Sequence, residues 1–252
     1  MALDGITIAA VAAELDSALA GGRISKIAQP ENDELLLTVK SPQGQKKLYM
    51  SASASLPLIY LTDESKQSPM TAPGFCMLLR KHIGNGRITG ISQPGLERII
   101  CLDIEHLDEL GDLCRKKLII EIMGKHSNII FCDDKDTIID SIKHVPAQMS
   151  SVREVLPGRK YFIPDTMSKK NPLSIGEPDF ACALAQKPMP VGKALYTSFT
   201  GISPAVAEEI CHLAGVESAV TAKDISPDVL VHLYRQFSYY IENHINRSGN
   251  HR

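Results

Sequence analysis

The chain writes one phrase twice: GRISKIAQP at residues 22–30 and GRITGISQP at residues 86–94, the second running on as GLERII to residue 100. Six of the nine positions are identical, and a seventh exchanges Ser25 for Thr89. The match extends upstream at the same offset of 64 residues. Val11, Leu15 and Leu19 fall opposite Phe75, Leu79 and Ile83, and each set repeats every four residues as one apolar helical stripe does. Gly21-Gly22 and Gly84-Asn85-Gly86 then supply helix stops, because a helix commonly ends on a residue that tolerates positive φ. Gln29-Pro30 and Gln93-Pro94 open turns, since proline presets φ and brings no N–H to a ladder. Each copy therefore predicts helix, stop, strand, turn, strand: a duplicated αββ unit.

The two copies differ in charge. Residues 11–39 carry five acids (Glu14, Asp16, Glu31, Asp33, Glu34) and two bases (Arg23, Lys26); residues 75–103 carry four bases (Arg80, Lys81, Arg87, Arg98) and two acids (Glu97, Asp103). At the constant offset, Asp16 becomes Arg80, Ser17 becomes Lys81 and Glu34 becomes Arg98. A sign change on a solvated face is ordinarily drift. If it carries function, Arg80, Lys81 and Arg87 are candidate phosphate contacts.

Further strands are expected at Gln45 to Ser51 and Leu58 to Thr62. The block at residues 116–145 adds two apolar runs, Leu118 to Met123 and Ile129 to Cys132, around a hairpin-length loop at residues 124–128. A polar turn at residues 133–136 leads to a third strand through Ile138, Ile139 and Ile142. The fold class implied is α+β, a two-layer antiparallel β-sandwich flanked by two helices. Residues 146–178 contain five prolines and form a connector. After them helical patterns cover residues 179–186, 191–199, 204–214 and 228–245, so the expected domains are 1–175 and a small all-α domain at 176–252.

Composition narrows the function classes. A formal net charge of −2 excludes a uniformly basic coat, so any polyanion site must come from local clustering. Six widely spaced cysteines without a C-x-x-C pair point to free thiols. The N-terminus, with Asp4, Glu14 and Asp16, makes a poor secretory signal, and no apolar run is long enough to span a membrane. A cytoplasmic protein without membrane contact is expected. The phosphate-loop, dinucleotide, zinc-protease and nucleophile-elbow motifs are missing, and eight scattered histidines give no metal-ligand spacing. No cofactor and no metal are expected. With no tryptophan and 5% aromatic residues, nucleic acid would be bound through shape and phosphate rather than on a stacking platform.

Two loops carry candidate chemistry. FTGISPAVAEEI (199–210) has the form of a helix-hairpin-helix turn: Gly201-Ile202, a Ser203 N-cap, then Pro204 opening a helix. Backbone amides there can hold a phosphate, although a plain αα-hairpin has the same signature, and Lys193 is the basic residue close in sequence. In MGKHSN, Gly124 permits close approach, and Lys125, His126, Ser127 and Asn128 are candidate phosphate contacts. A polar hairpin tip without function reads the same way.

Taken together and in order, MALDG, GGRISKIAQP, FCMLLRKHI followed by GRI, Glu97-Arg98, EIMGKHSNII and LPGRKYFIP resemble the N-terminal half of the NFACT family of ribosome quality-control proteins, some of them labelled fibronectin-binding protein A-like. The resemblance implies an NFACT-N domain like the N-domain of formamidopyrimidine-DNA glycosylases, followed by a helix-hairpin-helix domain whose last helix leads toward a coiled coil not contained in this chain. It implies a non-enzymatic protein that binds tRNA and rRNA. The implied partners are the large ribosomal subunit holding peptidyl-tRNA and a charged tRNA, alanyl in bacteria, with no DNA. The implied role is untemplated tailing of stalled chains. An Asp-Arg pair tied to tRNA engagement falls on Glu97-Arg98, with an acid one methylene longer, and a Glu-Ile-Met triplet tied to the same function falls on Glu121, Ile122 and Met123. The glycosylases need proline after the initiator Met and then an acid; Ala2 and Leu3 stand there, so lyase chemistry is not expected. A fibronectin-binding surface adhesin is the alternative class, and a DNA-repair protein the third.

Overall fold

The computed structural model describes residues 3–165 and 168–249. The described strands are β1 (Arg23–Ala28), β2 (Glu34–Ser41), β3 (Gly44–Ser51), β4 (Leu58–Thr62), β5 (Arg87–Ser92), β6 (Ile99–Leu107), β7 (Leu113–Glu121), β8 (Asn128–Asp133) and β9 (Ile138–Ser141). They form one antiparallel sheet in the order β4-β3-β2-β1-β5-β6-β7-β8-β9. Helices α1 (Gly5–Leu19) and α2 (Gly74–Ile83) precede β1 and β5, and α2 packs on β1 and β6 through Phe75, Cys76, Leu79 and Ile83. The α+β antiparallel fold expected from the repeated phrase is the one the chain adopts.

The strand order is that of a pseudo-two-fold axis between β1 and β5, where Arg23 faces Arg87, its own counterpart 64 residues on. Four backbone bonds close this joint in symmetric pairs. Gly21 N–H donates to Ile88 O (2.7 Å) as Asn85 N–H donates to Ile24 O (2.8 Å), and Ile88 N–H donates to Gly22 O as Ile24 N–H donates to Gly86 O (2.8 Å each). The positive φ needed to leave each helix falls at Gly21 (84°) and Asn85 (66°). Gly22 is needed for space instead, since a Cβ there would meet the Val39 side chain at 2.6 Å. The duplication reaches further than an αββ unit, because β3 and β4 answer β7 and β8 across the axis.

The ladders correct one sequence correspondence. β1 and β5 carry the same bulge, at Ser25 and Thr89, and each hydroxyl donates to a carbonyl of the next strand at 3.2 Å. Ala28 pairs with Leu36, however, and Ser92 with Cys101, so past the turn the offset is 65, not 64. The second turn holds one extra residue. Glu34 therefore answers Ile99, and Arg98 answers Asp33; the Glu34-to-Arg98 exchange read at constant offset does not hold.

Strand alternation separates two faces. Leu35, Leu37, Val39, Leu48 and Met50 of the first half and Ile100, Leu102, Ile104, Leu118, Ile120, Ile129 and Phe131 of the second are buried on the inner face. The outer face of β6–β8 is buried too, because Val145, Val155, Tyr161 and Ile163 pack over Ile99, Ile119, Ile130 and Cys132. The prolines of residues 146–164 thus hold a cover strapped to the sheet.

The chain divides into two compact units. One holds residues 11–94 and 99–164, and the other residues 1–10, 95–98 and 165–252. The second contains α3 (Glu177–Ala185), α4 (Val191–Ser198), α5 (Pro204–Leu213) and α6 (Pro227–Gly249) around a core of Phe180, Leu195, Phe199, Ile210, Leu233 and Phe237. Residues 1–10 and 95–98, which lie within the β-rich segment of the sequence, join this unit because Ile6 and Leu96 are buried in its core.

Candidate nucleic-acid interface

Glu97 and Arg98 sit on the turn between β5 and β6, and the turn is anchored by backbone packing. Gly95 takes φ 54° beside Asn171, and Leu96 is 1% exposed. A Cβ on Gly5 would lie 1.9 Å from Leu96 O, and one on Gly201, 2.5 Å. Gly5 N–H also donates to Gly201 O at 3.2 Å. Three glycines thus let three chain segments meet at Leu96, leaving Glu97 half-buried and Arg98 exposed.

Lys169 completes the cluster. Burial pushes its ammonium below the ordinary lysine value, the Arg98 guanidinium lowers it further, and Glu97 partly offsets both. Lys170 follows at the surface, with its backbone in a parallel bridge to Phe199: Lys170 N–H donates to Ser198 O (2.8 Å) and Thr200 N–H to Lys170 O (3.0 Å). Cations far apart in sequence, Arg98 and Lys169, are therefore gathered with the FTGIS turn in one unit. In that turn Gly201 has φ 81°, and Ser203 Oγ accepts from Val206 N–H at 3.2 Å, capping α5 with Pro204 in its first turn. Sequence reasoning missed Lys169, Lys170 and Asn171, although the triplet KKN inside a proline-rich connector was the visible signal. The Arg98 guanidinium and the Lys169 ammonium beside a fixed backbone turn, with Lys170 exposed next in the chain, are donors for phosphate.

The triplet 121–123 lies in the other unit. Glu121 is 0% exposed; its carboxylate accepts from Arg153 Nη2 and from the Tyr161 hydroxyl at 3.0 Å. Arg153 also donates to Phe162 O at 2.6 Å and lies over the Tyr161 ring. Burial, with the Glu121 carboxylate next, pushes the Tyr161 phenol far up, so it stays a donor. Ile122 is buried, and Met123 packs against the core under the cover. Glu121 and Met123 fix the cover to the sheet.

The hairpin loop divides in the same way. Ser127 Oγ accepts from Met123 N–H (2.9 Å), and Asn128 exchanges hydrogen bonds with the Lys143 backbone at 3.0 Å in both directions. Both side chains are turned inward and occupied, while Lys125 and His126 remain exposed on a single 3-10 turn. Arg80 donates from Nε to Ile27 O at 2.9 Å, and Lys81 and Arg87 are exposed. Among the described residues no group of three His, Cys, Asp or Glu could hold a metal ion, and no helix is long and apolar enough to cross a membrane.

Residues 4–250 match the family described as NFACT N-terminal and middle domains. The chain belongs to the NFACT family. The Bacillus subtilis NFACT relative, the Rqc2 homolog RqcH, is 39% identical over 222 residues, 88% of this chain and 39% of that protein. The chain thus spans well under half the length of the curated NFACT relatives it matches. The solved N-terminal part of the fibronectin/fibrinogen-binding protein of Streptococcus suis superposes with a TM-score of 0.80 at 31% identity, covering 96% of this chain and 85% of that one. Formamidopyrimidine-DNA glycosylase of Lactococcus lactis bound to DNA gives 0.51 at 13% identity over 98% and 82%, a likeness of fold alone. Ala2, where that enzyme class needs proline, lies outside the described residues.

Proposed function

We propose that this chain is the tRNA- and large-subunit-binding part of a cytoplasmic ribosome-associated quality-control factor, without enzymatic chemistry of its own. It recruits a charged tRNA, alanyl in a bacterial setting, for untemplated tailing of a stalled chain, and the ribosome makes the bond. The observation that supports it is the meeting of Arg98 and Lys169 at the Leu96-anchored turn, with Lys170 next in the chain, in a protein of this family. Arg98 contacts tRNA phosphate or a base edge, and Glu97 orients it. The FTGIS turn serves as a helix-hairpin-helix contact to the same RNA. Glu121 acts by positioning the cover through Arg153 and Tyr161.

Filter binding of tRNA tests the reading. Arg98→Ala is expected to weaken affinity about tenfold without changing the melting temperature, and the parental affinity to fall with rising salt as counterions are released. Undiminished affinity in Arg98→Ala removes the turn from the tRNA contact. A fibronectin-binding surface protein is the second reading, favoured by the name of the S. suis structure. Protease treatment of intact cells separates the two, since a surface adhesin is cleaved and a cytoplasmic factor is not. A DNA-repair role predicts nicking of damaged duplex, which this reading expects to be absent.

A further inference from the structure

The two halves of the sheet share a fold but not a covering. The outer face of β6–β8 lies under residues 145–163, whereas the apolar cluster on the outer face of β1–β4 consists of Ala28, Leu36 and Tyr49 alone. Side chains directly opposite one another in paired strands point to the same face, so the ladders give the composition of that face, whose Ala28, Leu36, Thr38 and Tyr49 are buried, with Ser65 and Lys66 lying against Lys47 and Tyr49. One row runs Arg23 opposite Lys40, opposite Gln45. The next runs Lys26, Thr38, Lys47 and Thr62, and the third Ala28, Leu36, Tyr49 and Tyr60. The only carboxylate in these rows and the next is Glu34, and it is neutralised: Lys66 Nζ lies 2.9 Å from both its oxygens, and the Tyr49 hydroxyl donates to it at 2.5 Å. Glu31 and Asp33 are in the turn at the far end of the strands from Arg23 and Lys40. Among the described residues Arg23, Lys26 and Lys40 are exposed and make no ion pair.

The aromatic row is ready for a planar ligand. Tyr49 and Tyr60 are register partners with ring centroids 5.1 Å apart; Tyr60 is 43% exposed, and Lys66 Nζ lies over the Tyr49 ring at 5.1 Å. A sheet face with cations in two rows and an exposed ring in the third suits a strand that alternates phosphate and base. The window that the sequence counts as acidic contributes Arg23 and Lys26 to this face because its acids lie elsewhere, on α1, in the turn, or paired at Glu34.

We propose that the exposed cations and ring on the outer face of β1–β4 form a second RNA contact, separate from the Glu97-Arg98 turn, that takes single-stranded RNA with phosphates on Arg23, Lys26, Lys40 and Lys47 and a base stacked on Tyr60. It rests on the RNA-binding reading above for the choice of RNA; the cations and the ring are independent of it.

The test is fluorescence anisotropy of labelled dodecauridylate with the 252-residue chain. The triple variant Lys26→Glu, Lys40→Glu, Lys47→Glu is expected to weaken binding at least about tenfold and to flatten the log-log salt slope by about 2, at ~0.7 per single-strand phosphate contact. Tyr60→Ala is expected to weaken binding about tenfold, with Tyr60→Phe restoring it. Arg98→Ala should bind the oligomer at parental strength while its tRNA affinity falls about tenfold. Unchanged affinity in the triple variant overturns the proposal. So does loss in the triple variant with none in Tyr60→Ala, which would make the face a general polyanion surface. Loss of the oligomer in Arg98→Ala would place it in the turn and overturn the separate site. Failure of tRNA binding alone would strike the function proposed above and leave this face standing.

Discussion

Glu121 is a residue whose substitution is easily misread. It has no exposed surface, and its Arg153 partner is only 11% exposed, so removing the carboxylate strands a buried guanidinium and leaves the Tyr161 hydroxyl without its acceptor. Breaking a buried pair from one side costs about 3–5 kcal/mol. Glu121→Ala is therefore expected to lower urea-denaturation stability by about that amount, and Glu121→Gln by less, since the amide oxygen can still accept from one of the two donors, which sit on different carboxylate oxygens. Any tRNA defect in Glu121→Ala should track the folded fraction, unlike one in Arg98→Ala. Lys169 gives a pH prediction. Its folded value lies below the ordinary 10.5, so its protonated form is disfavoured in the fold, and stability on this account rises as pH climbs through the folded value toward the unfolded one. A bound polyanion reverses the shift, because phosphate favours the charged ammonium. Calorimetry between the folded value and the ordinary 10.5, in buffers of different ionisation enthalpy, should therefore show proton uptake on tRNA binding, and Lys169→Arg should abolish it.

At the scale of elements, the β5–β6 turn owes its shape to glycines far away in sequence. Gly201→Ala would combine strain at φ 81° with a Cβ 2.5 Å from Leu96 O, and Gly5→Ala would put its Cβ at 1.9 Å. Backbone strain of this kind costs on the order of 1–3 kcal/mol before the clash is counted. Both variants are expected to lower the thermal midpoint and to weaken tRNA binding, because the turn carrying Arg98 must move; circular dichroism and filter binding check the pair. The sequence could not announce this. Gly5 and Gly201 look like helix-start and turn glycines, and the contact that explains them joins residues 5, 96 and 201. The strands and helices, by contrast, were legible, because amphipathic period and Gly/Pro punctuation are local signals. The one-residue insertion in the second turn was invisible to an ungapped comparison of two short phrases, and only the pairing of Ala28 with Leu36 and Ser92 with Cys101 exposes it. Arg98 was found through family resemblance. Lys169 was not, since burial beside Arg98 is a tertiary fact.

For the sheet as a whole, the joint between its halves is also where two like charges meet. Arg23 and Arg87 are opposed across the axis, but their other neighbours differ: Arg23 faces Lys40 on β2, while Arg87 faces Glu105 on β6. Like charges directly opposite in a ladder destabilise it by roughly 0.2–1 kcal/mol, and opposite charges stabilise it by a similar amount. Arg23 is thus flanked by cations on both sides, whereas Arg87 has one unfavourable and one favourable neighbour. Arg23→Gln is expected to stabilise the protein by about 0.5 kcal/mol at low ionic strength, and Arg87→Gln to leave it close to neutral. The gain should shrink in 0.5 M salt, since the screening length there falls to about 4 Å. The same Arg23→Gln should weaken dodecauridylate binding, because the repulsion it relieves is between the cations proposed to hold phosphate. A gain in stability that persists at high salt would assign the effect to side-chain packing or strand propensity rather than to charge at the axis.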